Sequence, residues 1–401
     1  MYDLILRDAT IVTSAGREVA DVAIQDGKIR YVGPRPPKRR TKHEISAIGR
    51  FLMPGVIDTG VQFEPNGDPT LWERESRAAV SGGVTTVLAL PGGDQPVIDR
   101  ASAKSRIDRV SANTWVDFGL WGAATTDNVD EIAAAVTDGL VQGTLAHVCD
   151  SGPLSVPASK VQAHLNSPGA LGVQLEAILD RKTDIEALID ASRSRERYLH
   201  MVNLSTAEEL QYLDPVRGET PLTASVTPHH LFLSEDEGAE GVQTTPPVRR
   251  EPARRTLWTA VKRGRLDCLA SDHHPHGADA PSGGVPGSEL LFPLLLSAVK
   301  YGRLNLELLV ALCAERPASI FGLDTKGYIE KGYDADLVLF SEGEIERVDS
   351  QELLSTAGWS PYHTREAAPK PDLVIVAGNV VAAKGKIIAD APSGAWLGSR
   401  G

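Results

Sequence analysis

The stretch FLMPGVIDTGVQ, residues 51–62, opens a series of eight short apolar runs rich in β-forming residues. The later runs are VTTVLALP (84–91), VDFGLWGAA (116–124), VQGTLAHV (141–148), GVQLEAI (172–178), YLHMVNL (198–204), LTASVTP (222–228) and RLDCLASD (265–272). Most runs are followed by a helical pattern, such as LWERESRAAVSGG at 71–83. Strands that alternate with helices form parallel sheets, and eight such units close into a barrel. The sequence therefore predicts an α/β fold, a (β/α)8 barrel of the TIM type.

The two ends of the chain carry a second kind of pattern. Residues 3–13 and 21–33 alternate apolar and polar positions, and Asp26-Gly27 supplies a turn between two strands. Residues 334–340 and 371–388 repeat this alternation, so the two ends are predicted to pair into one small β-sandwich. The predicted domains are residues 1–52 (first part of the sandwich), 53–325 (barrel) and 326–401 (second part of the sandwich and tail).

The composition argues against several classes of protein. The chain has 401 residues, of which 42% are hydrophobic, and a formal net charge of -12. An acidic protein is repelled by the negatively charged phosphate backbone of DNA and RNA, so no nucleic-acid partner is expected. Cys149, Cys268 and Cys313 form no CxxC pair, which argues against a disulfide framework or a thiolate zinc site. The apolar N-terminus carries Asp3 and Arg7, which is typical neither of a signal peptide nor of a membrane span, and a cytoplasmic protein is expected.

The candidate catalytic residues follow from the rule that such barrels place their chemistry at the carboxyl ends of the strands. The richest cluster there is SDHHPH at 271–276, and Asp272, at the predicted end of the eighth strand, suits a general acid or base. The predicted catalytic residues are Asp272, His229, His230, His276 and Glu176. A structural role for each of them is the alternative, such as Asp272 bonding only to the barrel floor.

Two further interpretations of the histidines stay open. The three histidines within 273–276 could capture one metal ion, although Pro275 stiffens the turn between them. His147 and Cys149, at the end of the fourth strand, could form a nucleophilic pair. A small buried thiol beside a hydrogen-bonded imidazole is the commoner arrangement, since free cysteines are often core residues.

Several segments, in their order along the chain, resemble the dihydroorotases and related cyclic amidohydrolases. They are FLMPGVIDTGVQ (51–62), SGGVTTVLALPGGDQPVID (81–99), HMVNLSTAEEL (200–210), VTPHHLFLSEDE (226–237), TTPPVRREPARRTLWTAVKRGRLDCLASDHHPH (244–276) and ERPASIFGLDTKGYIEKGYDADLVLF (315–340). The resemblance covers nearly the whole chain. It implies the same barrel and a small-molecule substrate with a cyclic amide or imide group.

The resemblance breaks at the metal ligands. In active family members the first strand ends Asp-x-His-x-His, and its two imidazoles hold a divalent metal. Here the histidine positions are Gly60 and Gln62. The predicted counterparts of the ligands on later strands are Thr144, Gln174 with Glu176, Asn203 and Asp272, of which only Asp272 keeps the family's residue. The sequence therefore predicts no metal ligands and no zinc cofactor. For the protein to be a conventional zinc hydrolase, several of these positions would have to be misaligned with the family at once.

The substrate-binding positions also differ from the family pattern. The resemblance aligns Glu64 with an arginine of dihydroorotases, and Gly92 with an asparagine. A carboxylate substrate would be repelled by Glu64, so dihydroorotate is predicted to be a poor ligand. The predicted substrate-binding residues are Gln62, Glu64, Gly92, Asn203, Thr245 and His274.

The sequence is consistent with two candidate functions. The first is metal-independent hydrolysis or cyclisation of a cyclic amide or imide, with Asp272 as the acid and base. The second is a catalytically inactive homologue that serves as a structural subunit, as inactive dihydroorotase-type subunits do with aspartate transcarbamoylase. Because many relatives form dimers or tetramers, the resemblance also implies a homo-oligomer.

Overall fold

The computed structural model describes residues 1–36, 40–149, 154–175, 182–195, 198–216, 222–239, 242–278 and 283–399. The strands are β1 (Tyr2–Thr13), β2 (Gly16–Gln25), β3 (Lys28–Gly33), β4 (Thr41–Ser46), β5 (Phe51–Pro54), β6 (Val56–Val61), β7 (Val84–Ala89), β8 (Asp117–Ala123), β9 (Gly143–Val148), β10 (Ala170–Leu175), β11 (Leu199–Val202), β12 (Leu222–Val226), β13 (Cys268–Leu269), β14 (Leu337–Phe340), β15 (Glu346–Arg347), β16 (Glu366–Ala367), β17 (Leu373–Val376), β18 (Asn379–Ala383) and β19 (Lys386–Ile387).

Several of the helices begin at a side chain that accepts one of their first backbone N–H groups. They are α1 (Pro69–Ser81), α2 (Arg100–Val110), α3 (Val129–Thr137), α4 (Ala158–His164), α5 (Lys182–Ser194), α6 (Ala207–Leu213), α7 (Pro228–Phe232), α8 (Glu251–Lys262), α9 (Leu291–Lys300), α10 (Leu306–Val310) and α11 (Arg316–Ile320). Asp68 caps α1, and Asp99 forms a capping box with Ser102 at the start of α2. None of the helices in the described part of the chain has the length and apolar character that a membrane span requires.

The eight strands β6 to β13 form the barrel. They pair in parallel and in the order in which they occur along the chain. Beyond the named strands, a parallel bridge joins Val61 to His273, and the Gln62 N–H donates to the His273 carbonyl at 2.8 Å. This bridge connects the last strand to the first. The predicted (β/α)8 barrel is therefore confirmed.

The nine-stranded sheet combines the two ends of the chain. Its order is β19-β18-β17-β14-β5-β1-β2-β3, with β4 paired to β1. Apolar residues from both ends, including Leu6, Ile24, Leu337 and Ile375, form one buried cluster. The predicted small β-sandwich is confirmed, while the predicted domain boundaries stay predictions. The strand β5 runs across the boundary placed between residues 52 and 53.

A buried ion cluster joins the sandwich to the barrel. The Lys326 ammonium contacts the carboxylates of Asp117 on β8 and of Asp336, and it lies 3.0 Å from the carboxylate of Asp334. The Asp336 carboxylate also accepts from the Ala377 N–H at 2.7 Å. Charges this deeply buried are stable only when they are paired, so the cluster fixes the two units against each other.

Residues 394–397, which we call the C-terminal tail, cover the amino-terminal end of the barrel, opposite the carboxyl ends of its strands. The Phe118 N–H donates to the Ala395 carbonyl at 2.9 Å, and the Ala395 N–H donates to the Asp117 carboxylate at 2.8 Å. The Gly394 N–H donates to the Thr114 carbonyl at 3.1 Å. Trp396 and Leu397 pack on the apolar clusters of the barrel. The tail is therefore part of the barrel floor.

Candidate functional site

A cavity of about 380 Å³ lies at the carboxyl ends of the barrel strands. Its described lining consists of Gln62, Leu90, Gly92, His147, Val148, Cys149, Gln174, Gln243, Thr244, Thr245, Asp272, His274, Gly283 and Gly284. Of the residues predicted from the sequence, the lining includes Gln62, Gly92, Thr245, Asp272 and His274. The barrel closure places Gln62 and Asp272 side by side, although 210 residues separate them in the chain.

Asp272 lies directly beyond β13 at the base of this cavity. Its φ of 51° is uncommon for a residue with a side chain, and such strain is typical of functional sites. Burial raises the pKa of the Asp272 carboxyl group. Among the described residues, no donor forms a hydrogen bond with its carboxylate oxygens. The Asp272 side chain is therefore available to accept or release a proton.

A second, smaller cavity of about 10 Å³ lies deeper in the barrel and also contacts Asp272. Asn203, at the end of β11, lines it and has a φ of 60°. The Asn203 amide oxygen accepts from the Ser225 hydroxyl at 3.3 Å, which leaves the Asn203 amide N–H groups for the cavity. The predicted binding residue Asn203 thus lies beneath the main cavity and next to Asp272.

His147 also lines the main cavity, at the end of β9. Burial, together with the nearby His274, lowers the pKa of His147 to about 4. The His147 imidazole is therefore neutral at pH 7 and can both donate and accept a hydrogen bond. Cys149 lines the same cavity, and its thiol lies 3.9 Å from the His147 carbonyl oxygen.

The sequence of residues 51–381 matches the profile of the "Amidohydrolase family", and this match spans the barrel. The chain belongs to the amidohydrolase family. A dihydroorotase of Methanosarcina mazei is 30% identical over 100% of this chain and 99% of that protein. An allantoinase of Solibacter usitatus is 30% identical over 90% of this chain and 90% of that protein.

The fold of this amidohydrolase matches solved structures over its whole length. The L-hydantoinase of Arthrobacter aurescens superimposes with a TM-score of 0.89 and 24% identity, covering 99% of both chains. A D-hydantoinase structure superimposes with a TM-score of 0.86 and 22% identity over 98% of both chains. At this level of identity the structures establish the shared fold.

The structure corrects our prediction for β9, in which Thr144 was the counterpart of a metal ligand of the family. Leu145 lines the deep cavity beside Gly60 and Asn203, whereas Thr144 does not. Successive side chains of a strand point to opposite faces, so Thr144 points away from the barrel axis. The predicted register was therefore wrong by one residue. Because Leu145 has no ligand atom, the correction takes a further donor away from the family's metal position.

The donor set around Asp272 does not fit the family's dinuclear zinc centre. Gly60 and Leu145 offer no side-chain ligand, and Gln62 and Asn203 offer only neutral amides. The one group of three clustered metal-ligand side chains among the described residues is Asp117, Asp334 and Asp336. The Lys326 ammonium contacts all three carboxylates, and the group joins the barrel to the sandwich outside the main cavity.

The predicted role of Glu64 in substrate binding requires a correction. Glu64 does not line the cavity, because its carboxylate is buried against the Arg106 guanidinium at 2.7 and 2.6 Å. Arg109 lies 3.4 Å from the same carboxylate. The negative charge of Glu64 is therefore neutralised behind the cavity wall. A carboxylate substrate would not meet this charge, contrary to our expectation.

The predicted catalytic residues His229 and His230 lie in the barrel wall and not in the cavity lining. The His229 Nδ1 lies 2.6 Å from the Tyr362 hydroxyl, and burial lowers the pKa of His229 to about 3. The His230 ring bridges the Thr227 hydroxyl at 2.8 Å and the Pro246 carbonyl at 3.1 Å. These contacts give both histidines the structural role that was the alternative.

The remaining predicted residues divide into two groups. His276 does not line the cavity, and its ring stacks on the His274 ring with centroids 6.0 Å apart. Glu176 lies outside the described residues. A catalytic role for Glu176 therefore stays a prediction.

The sequence interpretation missed Gln243 and Thr244 in the lining, and Arg106 behind it. Gln243 and Thr244 precede the Pro246-Pro247 pair, a signal for an irregular loop but not for its position over the cavity. For Arg106, the only signal was a basic residue within an apolar face of α2. A buried acid such as Glu64 requires a partner of this kind.

Proposed function

We propose that this chain hydrolyses a small cyclic amide or imide, or closes its ring-opened N-acyl or carbamoyl form. Asp272 acts as the acid and base, and no dinuclear zinc centre takes part. The main support is the buried Asp272 carboxylate, which has no hydrogen-bond partner among the described residues and borders both cavities. The names of the relatives, dihydroorotase, allantoinase and L-hydantoinase, support the class of reaction.

The deep cavity suits the attacking water. Its volume of about 10 Å³ is close to the space needed by one water molecule, which Asp272 can hold as an acceptor and Asn203 as a donor. Asp272 takes a proton from this water as the water oxygen bonds to the carbonyl carbon of the ring. The C–N bond then breaks, and Asp272 returns the proton to the leaving nitrogen. The reverse sequence closes the ring and releases water.

We propose an uncharged ring as the substrate. The described lining of the main cavity contains no lysine or arginine, and its polar side chains include three amides and two hydroxyls. Arg106 and Arg109, behind the wall, are engaged by Glu64. A substrate carboxylate would lose its hydration without gaining a cationic partner. This argument replaces the expected repulsion by Glu64 and again disfavours dihydroorotate.

A second candidate is an inactive homologue that serves as a structural subunit. It is favoured by Gly60 and Leu145, because a family member without a metal loses both the activated water and the Lewis acid. General acid-base catalysis by itself contributes only about 10²–10⁴-fold. In this case a homo-oligomer or a transcarbamoylase-type assembly would be the functional form.

The test combines metal analysis with a substrate panel. Purified protein is measured for bound metal and assayed for ring opening of hydantoin, allantoin and dihydroorotate, before and after chelation. Turnover of an uncharged ring that survives chelation supports the first proposal. Turnover that requires stoichiometric zinc overturns the metal-free mechanism. No turnover of any ring, together with co-elution with an aspartate transcarbamoylase, favours the structural subunit.

A further inference from the structure

The loop that carries Asp272 is held by the side chain of its neighbour, His273. The His273 Nδ1 accepts the backbone N–H groups of Gly287 at 3.2 Å and Ser288 at 3.3 Å. A ring nitrogen that accepts two N–H groups carries no proton, so the proton of the neutral ring is on Nε2. The His273 side chain thereby ties the end of the eighth strand to residues 287–288.

The protonated Nε2 of His273 faces Glu75 of α1. The His273 Nε2 lies 3.1 Å from the Glu75 Oε2, and both side chains are almost completely buried. Neither atom forms an aligned hydrogen bond with any described residue, so the pair is a close contact of an imidazole and a carboxylate. A buried carboxylate oxygen without a hydrogen bond is costly, and the nearby imidazole is the compensation that the described ion pairs offer to the Glu75 Oε2.

Glu75 also holds a segment from the far end of the chain. We call residues 349–365 the cover segment, since its Trp359 and Tyr362 side chains contact the segments that follow β13 and β12. The Glu75 Oε1 accepts from the Thr356 N–H at 2.7 Å and from the Thr356 hydroxyl at 2.5 Å. The Trp359 Nε1 donates to the His276 carbonyl at 2.8 Å, and the Tyr362 hydroxyl lies 2.6 Å from the His229 Nδ1.

A second buried carboxylate restrains the other neighbour of Asp272. The Asp58 Oδ1 accepts from the Ser271 N–H at 2.8 Å, and its Oδ2 accepts from the Ser288 hydroxyl at 2.9 Å. Ser288 also donates its N–H to His273. Both neighbours of Asp272 are thus fixed to one buried network, while the Asp272 side chain itself remains outside the network. Such a network can hold the uncommon backbone angle of Asp272.

We propose that Glu75 and His273 are positioning residues, which couple the cover segment to the orientation of the Asp272 carboxylate. Neither side chain of the pair lines the cavity, so the pair acts through the loop that carries Asp272. The inference rests on the proposed function for its catalytic consequence. The mechanical coupling can be measured without a substrate.

The first test uses Glu75→Gln and amide hydrogen exchange of the intact protein. If the glutamine oxygen keeps Thr356, its NH2 group faces the His273 Nε2–H, so two donors meet. Exchange should rise by about tenfold in residues 271–274 and 285–288 while the rest of the barrel is unchanged. Glu315→Gln is the matched control, because Glu315 likewise accepts from the N–H and hydroxyl of one residue, Ser14, but forms no described hydrogen bond with Glu75 or His273.

Thr356→Val provides a second variant if Glu75→Gln does not fold. It removes only the hydroxyl bond of the cover segment, so the same two peptides should exchange faster, by a smaller factor. Unchanged exchange of 271–274 in both variants would overturn the proposal. An equal rise in Glu315→Gln would also overturn it, because the effect would then be general destabilisation.

The second test measures turnover of the ring that the wild-type protein accepts. A positioning pair should lower kcat by about tenfold in Glu75→Gln with little change in KM, since the lining that binds substrate is intact. An altered KM with unchanged kcat would contradict the proposal. If the wild-type protein opens none of the rings, the proposed function fails, and the exchange experiment still decides the coupling.

Discussion

The Asp272 side chain is buried at the end of β13, and its raised pKa affects activity and stability in opposite directions. As a base it must be ionised, so turnover should rise with pH through the raised pKa. For stability, a carboxyl group whose folded pKa lies above its ordinary value of 3.8 favours folding at low pH, and this contribution is lost as the pH rises through the folded pKa. Above its folded pKa, Asp272 is therefore an unfavourable buried charge.

Asp272→Asn separates these two effects. It should lower turnover by at least about 10²-fold, because the proton acceptor is gone. At a pH above the folded pKa of Asp272, the thermal midpoint of the variant should equal that of the wild type or exceed it by about 1–2 °C, and the difference should narrow as the pH falls. Calorimetry at several pH values and the ring-opening assay measure the two effects. Wild-type turnover in Asp272→Asn would refute the assigned role of Asp272.

At the scale of elements, the C-terminal tail provides a sharp test of the barrel floor. A Cβ atom on Gly394 would lie 2.1 Å from the Val116 carbonyl oxygen, so Gly394→Ala must push the tail away from the barrel. The hydrogen bond between Phe118 and Ala395 and the packing of Trp396 would then weaken. We expect a loss of about 1–3 kcal/mol in the free energy of unfolding, measured by denaturant titration.

Gly277→Ala is the matched control for this variant. A Cβ at Gly277 meets no atom within 4 Å, and its backbone is not in the left-handed region. The control should therefore leave the free energy of unfolding within about 0.5 kcal/mol of the wild type. Equal effects of the two alanine variants would show that the tail contributes nothing to the floor.

The barrel elements could be predicted because each strand is a short apolar run followed by a helical pattern. The register within a strand is harder to predict. On β9 the residues Thr144 and Leu145 are both buried, one against the helices and one against the deep cavity. A strand buried on both faces has no polar alternation to fix its orientation. The error at Thr144 follows from this.

Partners that are distant in sequence could not be predicted at all. Glu64 and Arg106 are 42 residues apart, on a loop and on α2, and their pairing exists only after the strands have assembled. The hydrogen bond between Asp58 and Ser288 likewise forms only in the assembled barrel, as do the contacts of His229 and His230 on α7. The sequence supplied the correct strand ends for the site, but the tertiary contacts decided which side chains face the cavity.

For the whole molecule, the buried histidines determine the response to acid. Burial lowers the pKa of His229 to about 3 and that of His230 to about 4, below the ordinary value of 6.5. As the pH falls, a group whose pKa is lowered by folding binds its proton in the unfolded chain before it does so in the folded chain. Its stabilising contribution is complete above about pH 6.5 and is lost as the pH falls towards the folded pKa. Raised carboxyl pKa values, such as that of Asp58, act in the opposite sense.

His230→Gln isolates one of these groups. For each proton that the unfolded chain binds and the folded chain does not, the free energy of unfolding changes by about 1.4 kcal/mol per pH unit. Between pH 6 and 4.5, the free energy of unfolding should therefore fall less steeply in His230→Gln than in the wild type, by up to about this amount. The absolute stability of the variant will be lower, because the contacts of His230 with Thr227 and Pro246 are lost, but only the slope tests the titration. His43→Gln, at an exposed position of β4, controls for the substitution itself. If His230→Gln keeps the wild-type slope, His230 is not held neutral by the fold, and the acid sensitivity must come from other groups.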